Sequence, residues 1–140
     1  AAVAAAADSR GRLRAWLRTP AALRAGAELR DLGMLEWWTE LPKYRFVMSP
    51  MGSGIQTART VEALYALAVP ITQRMGFTAF DELVRLGFPI VVVEQWQEVT
   101  LESTRAWWSS LSPRLASFRR NCISAEGWWR IYTGQTAFCE

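Results

Sequence analysis

A mostly α-helical single domain, with about six helices, one or two short strands and an extended N-terminal arm, is the fold class this sequence predicts. Three observations predict it. Apolar residues recur at helical spacing in several windows. Pro and Gly punctuate those windows at intervals of one short helix. Only one run, PIVVVEQW, has convincing β-branched strand character. At 140 residues, 51% hydrophobic and 21% charged, the chain can bury one core, and bulk disorder is excluded.

The first 18 residues form a basic Ala/Arg-rich arm, and residues 19–140 form the helical domain. Within the arm, Leu13, Trp16 and Leu17 stand at helical spacing among Arg10, Arg12, Arg14 and Arg18, as in a short amphipathic helix. Thr19-Pro20 reads as an N-cap and first helical residue, and Gly33 as a stop, which predicts a helix over 20–32. MLEWWTEL adds one or two turns before Pro42, YRFVM is a candidate strand, and SPMGSG is a loop by composition. Val61, Leu64, Tyr65 and Ala68 predict a helix over 57–69, ended or kinked by Pro70. Thr78 with Asp81 resembles a capping signal for a helix to Leu86, stopped by Gly87. Thr100 caps a helix through LESTRAWWSSL, Ser112-Pro113 opens another, and 124–138 reads as the last. So few strands do not make a self-contained sheet unless something outside the chain completes it.

Catalytic chemistry finds little to work with. The chain has no histidine, which removes Ser–His and Cys–His relays and the commonest metal ligand together. Glu94, Glu98 and Glu102, spaced by four, lack His or Cys neighbours and read as a solvated face. The G-x-G of MGSGIQT lacks the third glycine of a dinucleotide fingerprint and the G-K-S/T of a phosphate loop, and reads as a turn. No catalytic, cofactor or metal residue is assigned. Cys122 and Cys139 could pair only if the fold brings them to disulfide distance; free thiols of a reducing compartment are the favoured reading.

Charge is uneven. Residues 1–30 hold six arginines against Asp8 and Glu28, whereas the remainder is close to neutral. The three Trp pairs sit beside acids such as Glu36, Glu40, Glu102 and Glu126. A nucleic-acid groove wants basic residues interleaved with its aromatics, so this distribution argues against one. The start AAVAAAADSR, with the Arg-rich, acid-poor stretch after it, has the flavour of an organelle transit or processing region, of a plastid or mitochondrion. No apolar run is long enough to span a bilayer; peripheral membrane-surface contact through Leu13, Trp16 and Leu17 is one option.

Eight tryptophans are many for a chain this size, and six of them lie in the pairs Trp37-Trp38, Trp107-Trp108 and Trp128-Trp129. Neighbours on a helix point about 100° apart, so one ring can enter the core while the other faces sideways. In the last helix, Trp128, Ile131, Tyr132, Gln135 and Phe138 have the inward spacing and Trp129 the lateral one. Indole suits an interface because its body is buried while its N–H finds an acceptor. The expected interface set is therefore Trp16 and the six paired tryptophans, with Arg10, Arg12, Arg14 and Arg18 of the arm.

The stretch FDELVRLGFPIVVVEQWQEVTLESTRAWWSSLSPRLASF, with WWRIY after it, resembles the C-terminal end of S-adenosylmethionine-dependent methyltransferases of the cyclopropane-fatty-acid-synthase type. The matching positions are Gly87-Phe88, Val91 to Val93, Thr100-Leu101, Trp107 and Trp129 to Tyr132, under half of the chain. The family's glycine-rich cofactor loop has no counterpart here, so the resemblance implies a fragment or degenerate copy without a cofactor site. Taken together, the residues lead to the expectation of a non-catalytic accessory subunit. It would bind other protein subunits of a larger, organellar, membrane-associated energy-converting complex, photosynthetic or respiratory.

Overall fold

The computed structural model describes residues 2–52 and 57–140. Helix α1 (Ala2–Leu17) comes first, followed by α2 (Pro20–Arg24) and α3 (Met34–Glu40). A 3-10 turn, Leu41–Lys43, leads into strand β1 (Phe46–Met48). Then α4 (Ala58–Tyr65), β2 (Val69–Gln73), α5 (Ala79–Arg85) and β3 (Val91–Val93) alternate. After a second 3-10 turn, Trp96–Glu98, the chain closes with the long α6 (Leu101–Asn121) and the short α7 (Ala125–Tyr132). The domain is mostly helical, as expected, and among the described residues it has three short strands where one or two are predicted.

Those strands form one sheet in the order β1-β2-β3, parallel throughout, with Phe46 opposite Val69 and Ile71 opposite Val91. Parallel strands need crossovers, which α4 and α5 supply. Both faces of the sheet are covered. Phe46 and Met48 pack against the main core with Val69, Ile71 and Phe118. Val47 turns the other way, to Leu41, Ala63 and Ala68.

Pro70, expected to end or kink a helix, instead lies within β2. The helix stops earlier: Leu67 takes a left-handed conformation (φ 60°) and the Ala68 N–H bonds back to Ala63 O. Pro is normally barred from a central strand because it donates nothing to the ladder. Here the alternation of parallel bonding excuses it. Val69 N bonds to β1 through Arg45 O, whereas Arg74 N bonds to β3 through Val93 O. Pro70 therefore faces β3, one residue before that pairing begins at Ile71–Val91. No ladder bond is lost.

Four further expectations are corrected. The predicted helix over 20–32 ends at Arg24, because Gly26 adopts φ 78° and Ala27 N closes onto Ala22 O; Gly33 instead caps the start of α3. Pro113 opens no new helix, since α6 runs through it. The last helix ends at Tyr132 rather than 138. Segment 1–18 does not stand apart as an arm: Ala6, Ser9, Leu13 and Trp16, spaced by three and four, bury one stripe of α1 in the domain.

Cys122 and Cys139 are joined by a disulfide, with Cα atoms 5.9 Å apart, which overturns the free-thiol expectation. Sequence offered no signal, because the pairing depends on α6 and the C-terminal tail meeting. Gly87 makes that meeting feasible. Its φ of +100° suits glycine, and a Cβ there would collide with the Cys139 carbonyl oxygen. The tail is fixed beside it by Cys139 N donating to Leu86 O (2.8 Å) and Arg114 donating to Gly87 O (2.6 Å).

Candidate functional site

The expected interface residues separate into three groups. Trp16 is a core residue, only 2% exposed, so it is withdrawn from the interface set. Leu13 is buried with it and Leu17 packs partly against the same core, which removes the apolar face an amphipathic membrane anchor would need. Arg10, Arg12 and Arg14 of α1, and Arg18 just after it, remain at the surface, with Arg12 paired to Asp8 at 2.8 Å.

The adjacent tryptophans divide as helix geometry demands in two of the three pairs. On α3, Trp37 is half-buried; its indole N–H donates to Glu62 (2.9 Å) and Arg59 stacks over its ring at 5.3 Å. Trp38 points outward and is 47% exposed. On α7, Trp128 packs against Phe88, ring centroids 5.6 Å apart, while Trp129 is 65% exposed. The pair on α6 behaves differently. Trp107 and Trp108 both lie half-buried against the core, and Trp108 meets Phe46 edge-on at 5.8 Å beneath the Arg45 guanidinium. The inward reading of Tyr132, Gln135 and Phe138 fails: Tyr132, the last residue of α7, is 80% exposed and meets the Trp128 ring at 5.8 Å, while Gln135 and Phe138 lie exposed beyond the helix end.

No ring contact among the described residues joins the three pairs to one another. Helical spacing of three and four puts further exposed apolar residues next to the outward rings: Leu35 (84% exposed) and Met34, which periodicity did not single out, beside Trp38, and Tyr132, expected inward, beside Trp129. Leu23 and Leu29 are exposed as well. The missed signal was the combination of a short helix with no buried residue, α3, and an apolar sequence within it.

A second constellation lies at the carboxyl ends of the strands. After β1, the Ser49 hydroxyl meets Thr57 and Thr60 at 2.8 and 2.9 Å. At the end of β2, Gln73 donates to Glu94 O and accepts from Ser9 of α1. Arg74 follows, forked on Asp81 at 2.8 and 2.9 Å and also bonded to Glu94. Asp81 had been expected to help Thr78 cap α5; Thr78 makes no side-chain cap bond, and Asp81 serves Arg74 instead. The hydrogen-bonded guanidinium holds the Asp81 carboxyl below the ordinary carboxylate range. Open parallel sheets commonly receive ligands at this edge. Here α1 lies across it, with the Ser9 hydroxyl placed between Gln73 and the Met51 N–H. Part of the loop read as a G-x-G turn, Ser53 and Gly54, is outside the described residues.

Of the acids spaced by four, Glu98 accepts from the N–H groups of Glu94 and Gln95, both at 2.7 Å, and so closes the turn after β3. Among the described residues no helix is long and apolar enough to cross a membrane. No family model, curated protein or solved structure matches this chain.

Proposed function

We propose that this protein is a non-catalytic subunit of a larger assembly, bound to other protein subunits through its outward tryptophans and their apolar neighbours. One observation carries the reading. Two indoles on separate helices, Trp38 and Trp129, leave much of their surface in water beside Leu35 and Tyr132, although other Trp and Leu side chains fill the core. Clusters of exposed large apolar residues are the signature of surfaces that are covered in use. The arginines of α1 add a charged margin to the same molecule. The setting we favour is an organellar, membrane-associated energy-converting complex. The Cys122–Cys139 disulfide would restrict it to an oxidising space of that organelle.

The test uses the full chain in its native extract. The wild-type chain should migrate in a high-mass complex, with Trp38 and Trp129 shielded from hydroxyl-radical footprinting there and reactive in the isolated chain. A Trp38→Ser/Trp129→Ser chain should keep its circular dichroism and migrate alone. Wild type running alone in the extract would end the proposal.

The enzyme-class rival, a methyltransferase-like unit, draws support from the parallel sheet and the polar side chains gathered at its carboxyl edge. Ser9 and the buried Met51 of the first loop stand at that edge. Calorimetric titration of the isolated chain with S-adenosylmethionine separates the two readings. Micromolar binding would replace the subunit reading with the rival.

A further inference from the structure

We propose that the outer edge of β1 is a docking site for an extended segment of a partner protein that alternates apolar and acidic side chains. The inference deepens the subunit reading and rests on it, but it concerns a different surface from the outward tryptophans.

The backbone of β1 supplies the first argument. Arg45 O and Ser49 N bond to β2, through Val69 N and Ile71 O. In a parallel ladder alternate residues face alternate sides, so the N–H and C=O groups of Phe46 and Met48 point away from β2. β1 ends the sheet, and those groups have no backbone partner among the described residues. Such a row of donors and acceptors is a template for strand addition.

The second argument is the space beside it. A cavity of about 630 Å³ runs along this edge, floored by apolar residues including Leu17, Phe46, Met48, Ile71 and Leu101. An added strand would send alternate side chains into that floor. The native chain does not fill the cavity: residues 25–32, which the sequence predicts as helix, pass it as an irregular wall instead.

Charge decides the kind of occupant. Arg45, Arg59 and Arg105 line the cavity, and none has a carboxylate within ion-pair distance among the described residues. Of the acids there, Glu40 is engaged by Arg30 and Lys43, whereas Glu28, which accepts from the neutral Tyr44 hydroxyl, and Asp31 keep their charge against the three arginines. The uncompensated balance is positive, so acidic side chains on the occupant complete it. A second copy of this chain would bring the same arginines to the same edge and be repelled.

The test titrates the full chain with a fluorescein-labelled nine-residue peptide of alternating Val and Glu, followed by anisotropy. Saturable binding is expected. It should weaken about tenfold or more when Lys replaces Glu, and in Arg45→Glu/Arg105→Glu. It should be lost when the outward-bonding amides of the peptide are N-methylated. Met48→Pro removes an edge donor while sparing the bonds to β2, and should abolish binding; if that chain does not fold, the N-methylated peptide answers the same question. Hydrogen exchange at Phe46 and Met48 should slow with peptide, while Val47 and Ser49 stay unchanged. Absence of saturable binding, equal binding of the Lys peptide, or retention of the N-methylated one each overturns the proposal. So does a dimer of the free chain that Met48→Pro dissolves. The Trp38→Ser/Trp129→Ser chain should still bind the peptide, which keeps failure at this edge distinct from failure of the tryptophan surface.

Discussion

Trp16 shows how one residue type takes opposite roles within one chain. Sequence placed it among arginines on an amphipathic helix, and that local pattern fits a core stripe, a membrane anchor or an interface equally well. Its burial follows from where α1 docks, which no local pattern states. Truncation to Ala should cost about 3–5 kcal/mol in a urea titration. Trp16→Phe should cost far less, because the buried indole N–H has no hydrogen-bond partner among the described residues to lose. The cysteines carry a second residue-scale prediction. Cys122 and Cys139 are 17 positions apart, so a reductant, or Cys122→Ser, should lower stability by about 3 kcal/mol through the freed loop. Calorimetric melting with and without dithiothreitol checks it. Gly87→Ala should match or exceed that loss, since its left-handed backbone and the Cys139 carbonyl both exclude a methyl group.

Helix α6 continues through Pro113 even though a proline interrupts the hydrogen-bond run of a helix interior. Packing holds it together: Leu111 precedes the proline, Leu115 and Phe118 follow it, and all three join the core. Pro113 itself is exposed, so Pro113→Ala should restore a backbone bond without disturbing a contact. A gain of about 1–3 kcal/mol in thermal unfolding is expected. Helix α5 is tied to β2 by the Arg74–Asp81 fork, and the pH dependence has a definite sign. The folded carboxyl titrates below its unfolded value, so its contribution is complete above the ordinary carboxylate range and fades as pH falls through the lowered value. In NMR titrations Asp81 should therefore protonate later than an unpaired aspartate on acidification. Arg74→Gln should return it toward the ordinary range.

For the whole molecule, the subunit reading predicts that Trp38→Ser/Trp129→Ser leaves monomer stability within about 0.5 kcal/mol while assembly is lost, because exposed residues contribute little to the free fold. Paired chemical denaturation and native electrophoresis measure the two separately. By itself the sequence determined the helical class, the start of α2 at Thr19-Pro20, the strand β3, and the in–out division of Trp37-Trp38 and Trp128-Trp129. Each follows from interactions within a few residues: caps, a proline-fixed dihedral, a β-branched run, the 100° step of a helix. Tertiary structure alone decided the rest. Pro70 is admitted to a central strand only because its bonding side precedes the pairing with β3. Trp16 is internal only because α1 lies over the carboxyl edge of the sheet. The cysteines meet only because Gly87 lets the C-terminal tail pass. In each case the deciding partner is distant along the chain, and the stabilisation comes from burying groups that local sequence cannot bring together.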